Sequence, residues 1–219
     1  MNDTIKDLSE LRLSYEKGEL LEPQVAQNPH DQFLQWFNHA LAVNSDEPYA
    51  MYLATVDERG QPHVRTVLLR GATELGYDFY TNYDSQKGMD LAQNARAEIL
   101  FYWPSLERQV RISGQVVKVS EQESTNYYHK RPKDSQIAAH ISTPQSGQIE
   151  SRDVLQQRFD QLSASVVTKT ELDKPKFWGG YRLQATAYEF WQGRPNRLHD
   201  RLQYKKQDNA TWQLQRLMP

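Results

Sequence analysis

Hydrophobic and polar positions along this chain change period several times, and the changes mark out its elements. Ala50 to Val56 reads as a strand, Asp57-Glu58-Arg59-Gly60-Gln61-Pro62 as a turn and His63 to Arg70 as a second strand, which together predict a β-hairpin. On the second strand Arg65, Val67 and Leu69 share one face and Thr66, Leu68 and Arg70 the other. The two arginines are therefore expected to point oppositely unless a bulge intervenes. Tyr77 to Asn82, Arg96 to Trp103 and Leu106 to Ser120 follow as strands, the last two apolar enough in Ile99, Phe101, Val110, Ile112 and Val116 to line a core. Phe177-Trp178-Gly179-Gly180-Tyr181 opens the final strands, which run through Ala185 to Trp191, Leu198 to Tyr204 and Trp212 to Leu217.

Helical spacing is confined to fewer stretches. Asp31 to Val43 places Phe33, Leu34, Trp36, Phe37, Ala40 and Leu41 in one broad apolar stripe, the mark of a core-facing helix. Ser85 to Gln93, Glu121 to Lys130, Asp134 to Ile141 and Arg152 to Val167 complete the helices, with Arg131-Pro132 as the break between two of them. Asp3 to Tyr15 has a rough helical pattern in Ile5, Leu8, Leu11 and Leu13, and predicts an arm over about residues 1–20 in which Arg12 and Tyr15 face the same way. Strands outnumber helices and come as hairpins, not as βαβ units, and no segment repeats. The pattern predicts a mainly β fold, an antiparallel barrel of Greek-key type with attached helices, forming a single domain over 1–219.

Composition narrows the chemistry. The 219 residues carry 26 basic and 28 acidic side chains, a net charge of −2, so any anion site has to be local and a nucleic-acid module is disfavoured. With no cysteine, disulfides, thiolate metal sites and cysteine nucleophiles are excluded, and no metal is expected. No leader-like apolar run and no stretch of 18 apolar residues is present, which predicts a soluble, cytoplasmic protein without a membrane partner. The glycine pair at 179–180 does not make the G-x-G-x-x-G of a dinucleotide fold.

Against that near-neutral background, three clusters stand out. Ser85 is an N-cap by type, and the helix it starts would gather free backbone donors, the positive dipole end and Lys87 at one point, a setting suited to phosphate. Tyr127 and Arg131 are spaced i, i+4, and Ser135 follows at the next helix start, so a phenol, a guanidinium fork and a hydroxyl can meet one phosphate; incidental polar residues at a helix boundary would look the same. After Pro195 a period of two would set Arg197, His199 and Arg201 on one face, either to receive an anion or as a solvated edge strand. Gln109, between Arg108 and Val110, is either a strand-satisfying amide or a reader of the polar edge of a flat ring.

The run Glu189-Phe190-Trp191-Gln192, four residues, then Arg197-Leu198-His199-Asp200-Arg201 resembles the C-terminal signature of pyridoxine/pyridoxamine 5'-phosphate oxidases. Further blocks match in the same order: Val64 to Arg70, Phe79-Tyr80-Thr81-Asn82, Leu106 to Val110, Arg131 to Ile137 and Phe177 to Gly180. The resemblance implies an FMN-binding split β-barrel, a homodimer with the flavin between subunits, and oxidation of pyridoxamine or pyridoxine 5'-phosphate by dioxygen to pyridoxal 5'-phosphate, with hydrogen peroxide released. It implies that Arg65, Tyr80, Thr81, Lys87, Gln109, Gln145, Ser146, Trp191 and Arg201 hold FMN, with Arg70 beside them. It assigns the substrate phosphate to Arg70, Tyr127, Arg131 and Ser135, makes Arg197 and His199 the catalytic pair flanking the substrate ring, and makes Arg12 to Tyr15 a closing arm. Three departures are visible: Arg70 stands where lysine is common, Gln86 where an arginine often precedes Lys87, and the loop at Thr143-Pro144, which leads into Gln145 and Ser146, is one residue longer than its commonest form. A flavin-binding protein without catalysis would lack Arg197 with His199 or the phosphate grip, and a nicotinamide-dependent flavin reductase would not need Tyr127, Arg131 and Ser135 together.

Overall fold

The computed structural model describes residues 11, 13–43 and 45–219. Among these, the antiparallel sheet is built from β1 (Ala50–Val56), β2 (Pro62–Leu68), β3 (Gly71–Thr73), β4 (Gly76–Asn82), β5 (Arg96–Trp103), β6 (Arg108–Lys118), β7 (Trp178–Gln192), β8 (Asp200–Lys206) and β9 (Trp212–Arg216). The strand order is β2-β1-β5-β6-β7-β4-β3, and β8 pairs β7 while β9 pairs β8. The long strand β7 causes the fork. Its first half, Trp178 to Leu183, pairs β4, its second half, Ala187 to Gln192, pairs β8, and a register shift at Ser113/Gly114 lets β6 follow it round. A bulge of this kind bends and twists the sheet, which is how one sheet curls into a split barrel.

Alternation along the strands supplies the core. Met51 and Leu53, Ile99, Phe101 and Trp103, Val110 and Ile112, Tyr188 and Phe190, and Leu202 and Tyr204 all turn inward and are buried. Helix α1 (Pro29–Ala42) starts at Asn28, whose side chain accepts the His30 N–H, with proline in the first turn where its missing N–H costs nothing. Its Phe33 packs 5.1 Å from Phe101 and its Trp36 meets Phe190 edge-on at 5.3 Å, centroid to centroid, so this helix plugs the barrel. Burying each such ring contributes up to about 3 kcal/mol.

A second, smaller cluster fastens the other helices. Tyr128 of α3 (Glu121–Lys130), Ile137 and Ala139 of α4 (Lys133–Ile141), and Val166 after α5 (Arg152–Ser165) pack with Leu172 and Trp178. A capping box between Ser120 and Glu123 fixes the start of α3. Among the described residues no helix is long and apolar enough to cross a membrane.

The hairpin, the barrel strands and the helices agree with the sequence expectation to within a few residues. Two local expectations do not hold, one in the arm and one before β8. Described residues 13–20 are non-helical, because the Glu16 and Lys17 N–H groups donate at 2.8 and 3.0 Å to the Glu107 carboxylate instead of to an i−4 carbonyl. Arg197 is not on a strand either. Pro195–Arg197 is a tight turn with Asn196 and Arg197 at φ 59° and 60°, and β8 begins only at Asp200, so the period-two face shared by Arg197, His199 and Arg201 does not form.

Candidate active site

Strand β2 stops at Leu68, and the chain then turns a corner: the Leu69 N–H donates to the Tyr49 carbonyl and the Arg70 N–H to the Asp78 carbonyl. The corner overrides the alternation expected for Arg65 and Arg70, and both line one cleft of about 420 Å³. With them stand Tyr80 and Thr81 at the end of β4, Lys87 in the first turn of α2 (Gln86–Gln93), Tyr127, Arg131, Gln145 and Trp178. The volume is in the range of small-molecule pockets. Among its lining residues four are cations and none is a carboxylate.

Three of the four cations, Arg65, Lys87 and Arg131, are held in place. Arg65 donates through Nη1 to the Leu53 carbonyl at 3.0 Å, the His63 carbonyl at 3.1 Å and Thr55 Oγ1 at 2.7 Å. Lys87 Nζ donates to Thr81 Oγ1 and Ser85 Oγ, both at 3.2 Å, and Ser85 caps α2 by accepting the Gly88 N–H. Burial lowers the Lys87 pKa, and the nearby Arg65 charge lowers it further, while Asp90 behind them offsets part of the shift. At the other end the Arg131 guanidinium lies 4.7 Å over the Trp178 ring; its pKa too is lowered, by burial first, with Arg70 contributing. Arg131 Nη1 is buried with no hydrogen-bond partner. A buried donor on a cation costs several kcal/mol when unpaired, so the arrangement calls for an acceptor from a ligand.

Flat surfaces complete this cleft. Tyr80 stacks on Tyr127 at 3.9 Å and on Trp178 at 5.7 Å. Gly180 makes room for that stack, since a Cβ there would sit 2.6 Å from the Tyr80 ring.

A second cleft, of about 650 Å³, is lined by Tyr15, Arg194, Asn196, Arg197 and His199 together with Leu11, Leu13 and Ser14. The His199 Nδ1 accepts the Arg194 N–H at 3.1 Å, so in the neutral ring the proton sits on Nε2 as a donor. Burial, helped by the Arg197 charge, lowers the His199 pKa and keeps the ring neutral at pH 7. Trp191 lies 4.8 Å from His199, and Tyr15 packs 5.7 Å from both rings. Gln109, Trp191 and Arg201 stand side by side in register across β6, β7 and β8. Arg201 is steered by Glu189, whose Oε1 it reaches at 2.9 and 3.0 Å. A left-handed arginine backbone such as that of Arg197 costs on the order of 1 kcal/mol, the kind of strain retained at working sites.

The structure thus gathers most of the sequence candidates into two groups, and no residue lines both clefts. Ser135 sits in the first turn of α4 outside the lining of the first cleft, and Ser146 is at its rim, accepting the Gln86 N–H at 3.4 Å. Arg12 lies outside the described residues. Sequence reasoning missed Trp178 as a cleft wall and two carboxylates that do the holding, Glu107 buried and Asp200 half-buried. Glu107 binds the arm at residues 16 and 17; Asp200 accepts the Leu20 N–H at 3.1 Å and the Arg216 Nη1 at 2.7 Å. Both acids fall inside blocks that the sequence marked out, but nothing in their spacing announces a backbone partner some 90 or 180 residues away.

A family model described as Pyridoxamine 5'-phosphate oxidase matches residues 37–165, and one described as Pyridoxine 5'-phosphate oxidase C-terminal dimerisation region matches residues 178–219. Among curated relatives, the pyridoxine/pyridoxamine 5'-phosphate oxidase of Acinetobacter baumannii is 75% identical over all 219 residues and the whole of both chains. That of Deinococcus deserti is 50% identical over 213 residues, 97% of this chain and 99% of its own. Among solved structures, PhzG from Burkholderia lata, in complex with tetrahydrophenazine-1-carboxylic acid, superposes with a TM-score of 0.85 at 28% identity, covering 93% of this chain and 100% of that one. An FMN-binding protein from Nostoc punctiforme has the same fold, with a TM-score of 0.70 at 18% identity over 88% of this chain and 98% of its own.

Proposed function

The chain belongs to the pyridoxine/pyridoxamine 5'-phosphate oxidase family, and from that membership and the two clefts we propose that it oxidises pyridoxamine or pyridoxine 5'-phosphate to pyridoxal 5'-phosphate, with FMN as cofactor and dioxygen as acceptor, in the cytoplasm. The observation that carries the reading is the first cleft: four cations, no carboxylate, and an Arg131 donor buried without a partner. Two poles are present, Arg65 with Lys87 and Arg70 with Arg131, and the reaction has two phosphates to place. In this reading the flavin phosphate goes to the first pole, at the α2 N-terminus, and the vitamer phosphate to the second, with Tyr127 and Ser135. Gln145 and Ser146 close the rim, and the Tyr80, Tyr127 and Trp178 stack supports the assembly from below.

Because the two linings are separate, we assign the second cleft to the other protomer of a homodimer. Arg197 and His199 then cover the substrate ring from above, and Gln109, Trp191 and Arg201 complete the flavin site. The match to a dimerisation region over residues 178–219 spans Trp191, Arg197, His199 and Arg201, which favours this assembly. A two-fold interface uses the same patch twice and so builds two equivalent sites.

Bound FMN would supply the two-electron chemistry: the substrate carbon C4' gives up a hydride and its amine or hydroxyl substituent gives up a proton, while dioxygen is reduced to hydrogen peroxide. The protein's part is placement. Holding C4' within reacting distance is worth about 7 to 11 kcal/mol in well-oriented systems. Arg197 clamps the ring so that C4' is presented for hydride loss, and the His199 Nε2–H donates to a ring substituent. With pyridoxamine phosphate the product imine is hydrolysed by water, releasing ammonia. The test is direct: purified protein should show a bound-flavin spectrum, and pyridoxamine phosphate in air should yield aldehyde and peroxide in equal amounts. Colourless protein that FMN does not reconstitute would overturn the assignment.

A further inference from the structure

Beneath the Arg65 and Lys87 pole lies a buried carboxylate. Asp90, on α2, is 2% exposed. Its Oδ2 accepts the Thr55 hydroxyl at 2.6 Å and lies 3.1 Å from His63 Nδ1, while its Oδ1 accepts Gln86 Nε2 at 2.8 Å. Arg65 Nη2 is 3.7 Å from Oδ2, too long for a hydrogen bond, so the link to the guanidinium runs through Thr55.

That link has a direction. A threonine hydroxyl carries one proton and can rotate, so whether it faces a guanidinium as donor or as acceptor is set by its other partner. Here the proton goes to Asp90, and the oxygen lone pairs are left for Arg65 Nη1 at 2.7 Å. With Nη1 engaged by Thr55 and two carbonyls, the guanidinium retains its Nε–H and Nη2 protons for a ligand. Thr55 is 1% exposed, so water does not compete for the hydroxyl. Gln86 belongs to the same scaffold. The position where a further cation is common holds an amide that turns away to buttress Asp90.

We propose that Asp90 is a positioning residue for FMN binding: by orienting the Thr55 hydroxyl it fixes the Arg65 guanidinium in the orientation that receives the flavin phosphate. The inference rests on the assignment of Arg65 to that phosphate. Its effect is confined to the phosphate, because Asp90 and Thr55 lie behind Arg65 and outside the cleft lining.

The experiment is a fluorescence-quenching titration of the full-length protein, stripped of flavin, with FMN and separately with riboflavin, which lacks the phosphate. Asp90→Asn and Thr55→Val are each expected to weaken FMN about tenfold, the loss of one charge-assisted bond, and to leave riboflavin within about twofold of wild type. The double variant should be no weaker than either single one, and Thr55→Ser, which keeps the hydroxyl, should bind FMN as wild type does. Equal losses for FMN and riboflavin would reduce Asp90 to a structural role, and FMN binding unchanged or tightened in Asp90→Asn would overturn the proposal. Should Asp90→Asn not fold, the Thr55→Val and Thr55→Ser pair decides alone. Arg65→Ala separates the two levels. If it abolishes the preference for FMN while Asp90→Asn and Thr55→Val do nothing, only this inference fails; if it leaves FMN binding intact, the assignment of the flavin phosphate to Arg65 fails as well.

Discussion

The Arg131 guanidinium lies 4.7 Å above the Trp178 ring, at the junction of the barrel and its helical cap, with Nη1 buried and unpaired. The aromatic face compensates the charge in part, worth about 1 to 2 kcal/mol, and leaves the donor for a phosphate oxygen. Arg131→Met should therefore raise KM for pyridoxamine phosphate roughly 10- to 150-fold, the range for losing a hydrogen bond to a charged group. Thermal stability should stay at or above the wild-type value, because an unpaired buried cation has been removed. Steady-state kinetics and a melting curve check both halves.

Glu107 ties the arm to the β5–β6 turn through two backbone N–H groups, and in doing so sets Tyr15 between Trp191 and His199. In Glu107→Ala the amides of Glu16 and Lys17 should exchange with deuterium faster by about ten- to a hundredfold, as two bonds to a carboxylate are lost. FMN affinity should be unchanged while KM for the vitamer rises. Unaltered exchange at those amides would show that the arm is held by other contacts.

Arg197 sits in the left-handed region at φ 60°, where glycine is at ease. Arg197→Gly is expected to fold with a Tm equal to or above wild type and to bind FMN. Its turnover should fall on the order of 100-fold, as for loss of a group that positions the reacting carbon. A large drop in Tm would mean that Arg197 serves the fold, not the reaction.

Five buried tyrosines set the alkaline limit, Tyr77 among them with its pKa raised by burial. Tyr128, Tyr181, Tyr188 and Tyr204 are each pushed up to about 12, by burial first. A phenol whose folded pKa exceeds its unfolded value of 10 keeps its proton longer in the native state, so its contribution is complete below pH 10 and is lost as pH rises from about 10 to about 12. Stability should fall in that window by about 1.4 kcal/mol per pH unit for each such tyrosine. Tyrosinate absorbance at these positions should appear together with unfolding, and its appearance in folded protein would contradict the burial.

Much of this was legible in the sequence because the informative residues are local. Turn chemistry at Asp57 to Pro62, the stripe of Phe33, Trp36 and Ala40, and the capped start at Ser85 each depend on near neighbours, and each formed as expected. What failed depended on remote partners or on backbone strain. Arg65 and Arg70 came to one cleft because the chain turns at Leu69, where its N–H finds Tyr49 across a loop. Asn196 and Arg197 broke the period of two by entering a region that residue type alone does not predict. Asp90, Glu107 and Glu189 look like surface acids in the sequence, and only tertiary burial makes them anchors.

The central claim is that one working site takes Arg131 from one protomer and Arg197 from the other. Subunit complementation tests it. Arg131→Met and Arg197→Leu proteins, each nearly inactive alone at low vitamer concentration, are mixed, dissociated and allowed to reassociate. Random pairing makes about half of the dimers mixed, and each mixed dimer carries one site with both changes and one with neither, so about a quarter of wild-type turnover should return. If each chain builds its own site, every site in the mixture carries one defect, and turnover will stay at the level of the separate variants.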